Sequence, residues 1–255
     1  MSMKAPRQPK PEPGSPPSVS LMVDLVYVLK DNPPRTRELR YSLRSVQRYL
    51  TGYGGVFIVS VNIPTRITGV EHVYAVDNLG LLKDSRIFEK VLAACNDGRI
   101  SEQFLFMNDD HFLCRPCHAP DFPFYNKGDL LLAEGRTDPY GMRLLRTGQD
   151  LQARGLPTVH FDIHTPILYD KAKFLTMASS FKWREPPGYV VKSLYGNFNR
   201  LDSVYLNDLK AESHRELVGL DQRPCFSTQD DSAWDNATGR AILKIVGEEP
   251  SRWER

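Results

Sequence analysis

Short apolar runs of strand length alternate with segments of helical periodicity in the first half of the chain. Strands are predicted where these runs are rich in β-branched or aromatic residues, at 21–29, 56–61, 73–76 and 104–107. Apolar residues at helical spacing predict two helices, with buried faces formed by Leu39, Leu43, Val46 and Leu50 and by Ile87, Val91, Leu92 and Cys95. Thr36 is the expected N-cap of the first helix. Alternation of strands and helices indicates an α/β fold with a mainly parallel central sheet flanked by helices.

The second half of the chain has a less regular pattern. A strand is predicted at 159–163, and helices are predicted at 171–178, 189–198, 203–210 and 233–246. No internal repeat or linker is evident after residue 20, so we expect residues 21–255 to form a single domain. A boundary within 128–155 is the alternative.

Composition and charge are those of a globular protein. The chain has 255 residues, of which 41% are apolar and 25% charged, and its formal net charge is +2. That excess arises within residues 1–20, where six prolines predict a disordered tail. The remaining residues are neutral overall, so net charge gives no argument for a nucleic-acid partner, which stays possible but not favoured.

No apolar run is long enough to span a bilayer, and no signal-peptide core is present, so we expect a cytoplasmic location without a transmembrane segment. The four cysteines are accordingly expected to be thiols. Cys114, Cys117 and His118 match a haem-attachment pattern, but that chemistry requires export and is rejected. A zinc site that adds His111 or Cys225 is a lesser alternative.

An acidic cluster follows the predicted strand at 104–107. Asn108, Asp109 and Asp110 lie where that strand ends, and ligands of such sheets bind beyond the carboxyl ends of the strands. Two adjacent carboxylates are oxygen ligands suited to Mg²⁺ or Mn²⁺, which neutralise diphosphates. The alternative is an ordinary turn, since Asn and Asp hydrogen-bond their own backbone.

Basic residues and histidines give two further candidates. The first helix carries arginines along one face. These side chains either bind phosphate in bidentate fashion or form a solvated helix face that is partly paired with Glu38. They are Arg37, Arg40, Arg44 and Arg48, preceded by Arg35. His160, Asp162 and His164 alternate and would share one face of a strand. His164 is a candidate general base with a nearby acid to orient it, whereas a structural or metal-binding histidine is the alternative.

Four blocks of sequence, in order, resemble the Stealth family. The first is Asp24-Leu-Val-Tyr-Val-Leu-Lys-Asp31, and the third is His164-Thr-Pro-Ile-Leu-Tyr-Asp170. The second comprises Glu38-Leu-Arg-Tyr-Ser-Leu-Arg-Ser-Val46, Val56-Phe-Ile-Val59 and Phe104-Leu-Phe-Met-Asn-Asp-Asp-His-Phe-Leu113. The fourth comprises Phe226-Ser-Thr-Gln-Asp230 and Glu249-Pro-Ser-Arg-Trp-Glu254. The family includes bacterial capsular polysaccharide phosphotransferases and the lysosomal-enzyme GlcNAc-1-phosphotransferase, and this chain resembles a compact bacterial or phage member.

The resemblance implies a GT-A-like fold and transfer of a sugar 1-phosphate from a nucleotide sugar, typically UDP-linked, to an acceptor hydroxyl on a glycan. Asp109, Asp110 and Asp230 would hold the metal, with His164 as base and Arg184 as a catalytic cation. The donor nucleotide would lie near Asp24, Asp31, Arg40, Arg44 and Asn108. Two alternatives stay open: a glycosyltransferase that attacks the anomeric carbon of the same donor, and a non-catalytic nucleic-acid or virion-associated binding protein.

Overall fold

The computed structural model describes residues 22–30, 37–230 and 234–255. The predicted tail at 1–20, Asp31, Arg35 and the Thr36 cap lie outside these ranges. The strands are β1 (Val23–Val28), β2 (Leu50–Thr51), β3 (Tyr53–Ser60), β4 (Glu71–Tyr74), β5 (Gln103–Met107), β6 (Phe112–Leu113), β7 (Cys117–His118), β8 (Tyr125–Asn126), β9 (Ile167–Asp170), β10 (Val204–Tyr205), β11 (Lys210–Ala211) and β12 (Cys225–Thr228). The α-helices are α1 (Arg37–Tyr49), α2 (Lys83–Asn96), α3 (Pro139–Ala153), α4 (Lys171–Ser180), α5 (Val191–Phe198) and α6 (Asn236–Val246).

The central sheet has the strand order β4-β3-β1-β5-β9. Its first four strands are parallel, and β9 pairs antiparallel with β5. The mainly parallel α/β architecture predicted from the sequence is therefore confirmed. From β1 the chain builds outward through β3 and β4, then crosses to the other side of β1 to form β5. The carboxyl ends of β1 and β5 thus border the switch point where ligands of such sheets bind.

Both faces of the sheet are covered, as the apolar runs require. All six residues of β1 are buried. Val26 and Val28 face one core cluster, which includes residues of α2, α4 and α5, while Leu25 and Tyr27 face a second cluster that includes the apolar side of α1. Because side chains alternate along a strand, a strand between two layers is apolar on both faces, and the one polar residue of β1, Asp24, lies near its amino end with its carboxylate hydrogen-bonded.

Several predicted elements agree with the structure. Helix α1 buries Leu39, Leu43 and Val46, as its periodicity predicts. Helices α2, α4 and α5 match predictions within a few residues. Helix α6 begins later than predicted, because the Asp235 carboxylate accepts a hydrogen bond from the amide of Thr238 and caps the helix there.

The predicted strand at 159–163 and the predicted helix at 203–210 are wrong. Val159 forms only an isolated bridge with Asp129, and the sheet strand in this region is β9. The 203–210 segment contributes β10, which pairs with β8, and the first residue of β11, which pairs with β12. Apolar spacing over eight residues does not separate a helix from two short edge strands.

Helix α3 lies in the segment that the sequence marked as a possible boundary. The Asp138 carboxylate accepts from the amide of Gly141, and Pro139 occupies the first helical turn. Leu144 and Leu151 are buried in the same core cluster as one face of the central sheet. Within the described ranges, no helix is long and apolar enough to cross a membrane.

Candidate active site

The acidic cluster forms a tight turn at the carboxyl end of β5. The amide of His111 donates to the carbonyl of Asn108 (3.2 Å), and the amide of Asn108 donates to Nδ1 of His111 (3.3 Å). His111 is fully buried, and its carbonyl accepts from the Ser42 hydroxyl of α1 (2.6 Å). Burial holds the pKa of His111 well below its usual range, so the ring is neutral. The turn expected as the alternative is present, and it positions both carboxylates at the switch point.

The two carboxylate oxygens of Asp110 have different surroundings. The Ser227 hydroxyl donates to Oδ2 (2.7 Å), and Nζ of Lys210 lies 3.8 Å from the same atom. Oδ1 is buried and has no hydrogen-bond partner among the residues that the structure describes. A buried carboxylate oxygen left unsatisfied costs free energy, unless a cation binds it. Strand β12, which carries Ser227, reaches the turn by pairing with β6, directly after it.

Asp109 adds a second carboxylate, which lies close to other negative charges. The pKa of Asp109 is raised to about 7, mainly by burial and then by the charges of Asp110 and Asp230, while Lys30 opposes the shift. Asp230 therefore acts on this pair through its charge, although among the described residues no group of three or more His, Cys, Asp or Glu side chains is arranged to hold a metal. Mg²⁺ is commonly bound by one or two carboxylates with substrate phosphates supplying the rest. Asp109 and the open Oδ1 of Asp110 fit that donor set.

His164 is oriented by an aspartate that the sequence did not reveal. Its Nδ1 lies 2.8 Å from Oδ2 of Asp208, and its amide donates to Oδ1 of the same carboxylate (3.0 Å). Lys127 also donates to Asp208 (2.8 Å). Burial would raise the pKa of Asp208, but His164 and Lys127 hold it well below its usual range. An ionised Asp208 accepts a hydrogen bond from Nδ1–H of His164, which leaves Nε2 as the basic nitrogen.

Lys192 of α5 connects the histidine segment with the acidic turn. Its buried ammonium donates to the carbonyls of Ile163 and Thr165, both at 2.8 Å, and so fixes the backbone on either side of His164. Burial lowers the pKa of Lys192, while the charges of Asp162, Asp208 and Asp110 oppose that shift. His164 and Asp110 are therefore placed around one buried positive charge.

The predicted strand that would carry His160, Asp162 and His164 on one face is not formed. His160 is buried, and burial together with Lys127 lowers its pKa to about 4. Asp162 accepts a hydrogen bond from the Tyr140 hydroxyl (2.7 Å). The segment has only an isolated bridge to Asp129, so strand alternation does not set the directions of these side chains, and the amide of Asp162 donates to Nδ1 of His160 (3.3 Å).

The two arginines of the second block bind the fourth block. Arg40 and Arg44 both form ion pairs of 2.7 Å with Glu254, and Arg44 also donates to the carbonyl of Glu248. Burial would raise the pKa of Glu254, but these hydrogen bonds lower it to about 2. The structure therefore does not place Arg40 and Arg44 at the acidic turn, where they were expected to contact a nucleotide.

Two other expected site residues lie apart from the acidic turn. Asp24 is at the amino end of β1, the opposite edge of the sheet, where its carboxylate accepts from the amides of Gly55 (2.6 Å) and Ser101 (2.7 Å). Arg184 is exposed, lies over the ring of Trp183 and pairs with Glu89 at 3.5 Å. Asp31 lies outside the described residues.

Four site residues were missed by the sequence predictions. Ser227 lies within the fourth block, and Lys192 is the one charge in an apolar run that starts at Tyr189, a pattern that signals a buried cation. Asp208 and Lys210 were assigned to a helix that does not form. No local pattern identifies them, because Lys210 lies in β11 and Asp208 lies between β10 and β11, and both strands pair with distant segments.

Comparisons with known proteins identify no family. No family model matches the chain and no curated protein does, so the resemblance to the Stealth family stays a prediction. Similar solved structures include the galactosyltransferase LgtC in complex with donor and acceptor sugar analogs, at 12% identity and a TM-score of 0.48, covering 88% of this chain and 95% of that chain. Mouse xyloside xylosyltransferase 1, apo form, is similar at 9% identity and a TM-score of 0.35, covering 75% and 86%. Both are glycosyltransferases, but at TM-scores below 0.5 neither assigns a role to any residue here.

Proposed function

We propose that the protein is a metal-assisted transferase that moves a hexose 1-phosphate from a nucleotide sugar, with UDP as the expected carrier, to an acceptor hydroxyl on a glycan. One observation supports this most directly. Among the described residues, Oδ1 of Asp110 is buried at the switch point without a hydrogen-bond partner. The charges of Asp110 and of Asp208, the carboxylate that orients His164, both act on the buried ammonium of Lys192. Such a pair of groups suits a diphosphate and a hydroxyl nucleophile.

The donor side of the site belongs to the acidic turn. Asp109 and Oδ1 of Asp110 would hold Mg²⁺ or Mn²⁺, and Asp230 is a further candidate ligand. Bound there, the ion would neutralise the donor diphosphate and the leaving group. Ser227 keeps the Asp110 carboxylate in one orientation through its 2.7 Å hydrogen bond, as groups behind metal ligands commonly do.

The acceptor side belongs to His164. Its Nε2 takes the proton of the acceptor hydroxyl while the acceptor oxygen forms a bond to phosphorus, and the bond from phosphorus to the nucleoside monophosphate breaks. Asp208 keeps the proton on Nδ1 and stabilises the imidazolium that results. Lys192 fixes the backbone around the histidine, so the base is positioned before substrate binds.

Product identification tests the reaction. The protein is incubated with UDP-hexoses, Mg²⁺ and glycan acceptors, and the released nucleotide is separated by ion-pair chromatography. UMP is expected. Release of UDP instead would show attack at the anomeric carbon and overturn the phosphotransferase assignment in favour of a glycosyltransferase.

Ligand binding tests the site itself. Thermal unfolding is followed with nucleotide sugars in the presence and absence of Mg²⁺, because a ligand at 100 times its Kd stabilises the folded state by about 2.7 kcal/mol. We expect a metal-dependent shift that Asp110→Asn abolishes and the surface substitution Asp121→Asn leaves intact. No shift with any donor would favour the binding-protein alternative.

A further inference from the structure

The arginines expected to face the donor phosphates are already engaged elsewhere. Arg40 and Arg44 bind Glu254, and Arg184 pairs with Glu89 on the surface. A transferring phosphoryl group carries charge that a catalytic site must offset. A cationic side chain nearer to the acidic turn is therefore a better candidate than these arginines to share that charge with the divalent ion.

Four described lysines lie close to the site: Lys30 acts on Asp109 through its charge, and the other three have contacts that differ. Lys192 is buried and donates to two carbonyls, and Lys127 donates to Asp208. Lys210 has a side chain that is 36% exposed, and its ammonium lies 3.8 Å from Oδ2 of Asp110, too far for a hydrogen bond. Of the three, Lys210 has the weakest contact and the most room to move.

The backbone of Lys210 is nevertheless firmly placed. It lies opposite Ser227 in the pairing of β11 with β12, and the amide of Ser227 donates to the carbonyl of Leu209 (3.0 Å). The next residue, Ala211, is buried. Ser227 and Lys210 thus approach the same oxygen of Asp110 from one pair of strands, the serine fixed by a hydrogen bond and the lysine on a flexible stem.

We propose that Lys210 is a phosphate-binding residue. When a divalent cation binds to the Asp110 carboxylate, the ammonium of Lys210 moves away from that carboxylate and binds the donor diphosphate. This inference rests on the proposed function. A cation on Asp110 repels the neighbouring ammonium, and the diphosphate attracts it. Because the ion pair at 3.8 Å is loose, the exchange gives up little free energy.

Calorimetric titration of the full chain tests the proposal with two probes. The first is Mn²⁺ alone, and the second is whichever of UDP, CDP, GDP or ADP binds the wild type most tightly in saturating Mg²⁺. For Lys210→Met we expect Mn²⁺ to bind at least as tightly as to the wild type, because a competing charge is gone. The nucleoside diphosphate is expected to bind about tenfold or more weakly, the loss typical of a charge-assisted contact.

Two further variants control for structure and for net charge. Lys210→Arg keeps the charge and is expected to recover most of the diphosphate affinity. Lys182→Met removes a surface lysine that lies 3.5 Å from Glu185, a comparable ion pair, and is expected to leave both titrations unchanged.

Other outcomes overturn the inference in distinguishable ways. Unchanged diphosphate affinity in Lys210→Met, with the wild type binding normally, refutes the role of Lys210 and leaves the proposed function standing. A loss of Mn²⁺ affinity shows that Lys210 supports Asp110 structurally instead. A loss found in Lys30→Met and absent from Lys210→Met assigns the phosphate contact to Lys30. Absence of any diphosphate binding by the wild type removes both proposals.

Discussion

Asp208→Asn isolates the contribution of the histidine's orientation. Asn has the same shape as Asp, but it carries no charge and its amide can donate to Nδ1 of His164. That hydrogen bond would place the imidazole proton on Nε2, the nitrogen that must accept the substrate proton. General-base catalysis contributes about 10²–10⁴-fold, so we expect kcat to fall at least about 100-fold, equivalent to about 2.7 kcal/mol of transition-state stabilisation.

The stability cost of the same change should be small. Asp208 and both of its partners are partly exposed, so the two ion pairs are screened and contribute about 1 kcal/mol together. The measurements are nucleotide release at saturating donor and the free energy of unfolding in urea. A fall in kcat without a rise in KM is expected, because Asp208 acts through the base and does not bind the donor.

The chain offers a matched control for this experiment. On the surface, Nδ1 of His118 lies 2.7 Å from the Asp121 carboxylate, a second aspartate–histidine pair far more exposed than the first. Asp121→Asn should leave kcat and KM unchanged. The reasoning is refuted if Asp208→Asn retains wild-type kcat, or if its kcat falls only in proportion to the fraction of protein unfolded.

Three further predictions follow from contacts outside the histidine pair. Ser227→Ala should weaken Mn²⁺ binding about 10- to 100-fold, measured by electron paramagnetic resonance, because Asp110 loses its orienting hydrogen bond; unchanged affinity would contradict this role. Glu254→Gln should lower the free energy of unfolding by about 2 kcal/mol at pH 7, measured in urea. The pKa of Glu254 in the folded protein lies below its value of about 4.5 in the unfolded chain, so the difference from wild type should vanish as the pH falls from about 4.5 to 2. A difference that stays constant with pH would exclude this linkage. Gly196→Ala should lower the free energy of unfolding by about 1–3 kcal/mol, because its new methyl group would lie 2.6 Å from the Phe161 ring. Gly98→Ala places its methyl group in open space and should leave stability unchanged. Equal effects of the two substitutions would rule out overpacking.

Much of the first half of the fold is predictable because local pattern and tertiary structure agree there. The run at 21–29 is apolar at every position except Asp24, as suits a strand between two layers, and the helix that follows shows the spacing of a one-sided buried face. The acidic turn was also predictable, since it directly follows such a strand. These features require only neighbours in sequence to be recognised.

The second half depends on contacts between distant segments, which spacing along the chain does not reveal. The alternating pattern at 159–163 looks like a strand, but it is fixed by side chains from α5, including Lys192 and Asn197. Gly141 and Gly148 argue against a helix at 139–153, yet a methyl group at Gly148 would meet Leu131 at 2.8 Å. Close packing, which local propensity does not encode, therefore selects glycine within α3.

The partner of His164 was hidden for the same reason. Asp208 is 44 residues away and belongs to a segment whose apolar spacing resembles a helix. The resemblance of four blocks indicated the histidine, but it placed arginines at the nucleotide that this chain uses to bind Glu254. Sequence reasoning thus indicated the acidic turn and His164, whose roles stay predictions, and missed the side chains that contact them.

The acidic turn and the 163–165 segment are anchored by different kinds of hydrogen bond. Strand β5 is hydrogen-bonded on both sides, by β1 and β9, so its backbone amides should exchange with solvent deuterium only on global opening. The 163–165 segment is held by side-chain anchors instead of a sheet ladder, and local fluctuations should expose it sooner. In the proposed reaction, substitutions around His164 are therefore expected to alter which acceptor hydroxyl is used while the geometry of the acidic turn is kept. The 163–165 segment is thus the place to vary acceptor choice in the laboratory.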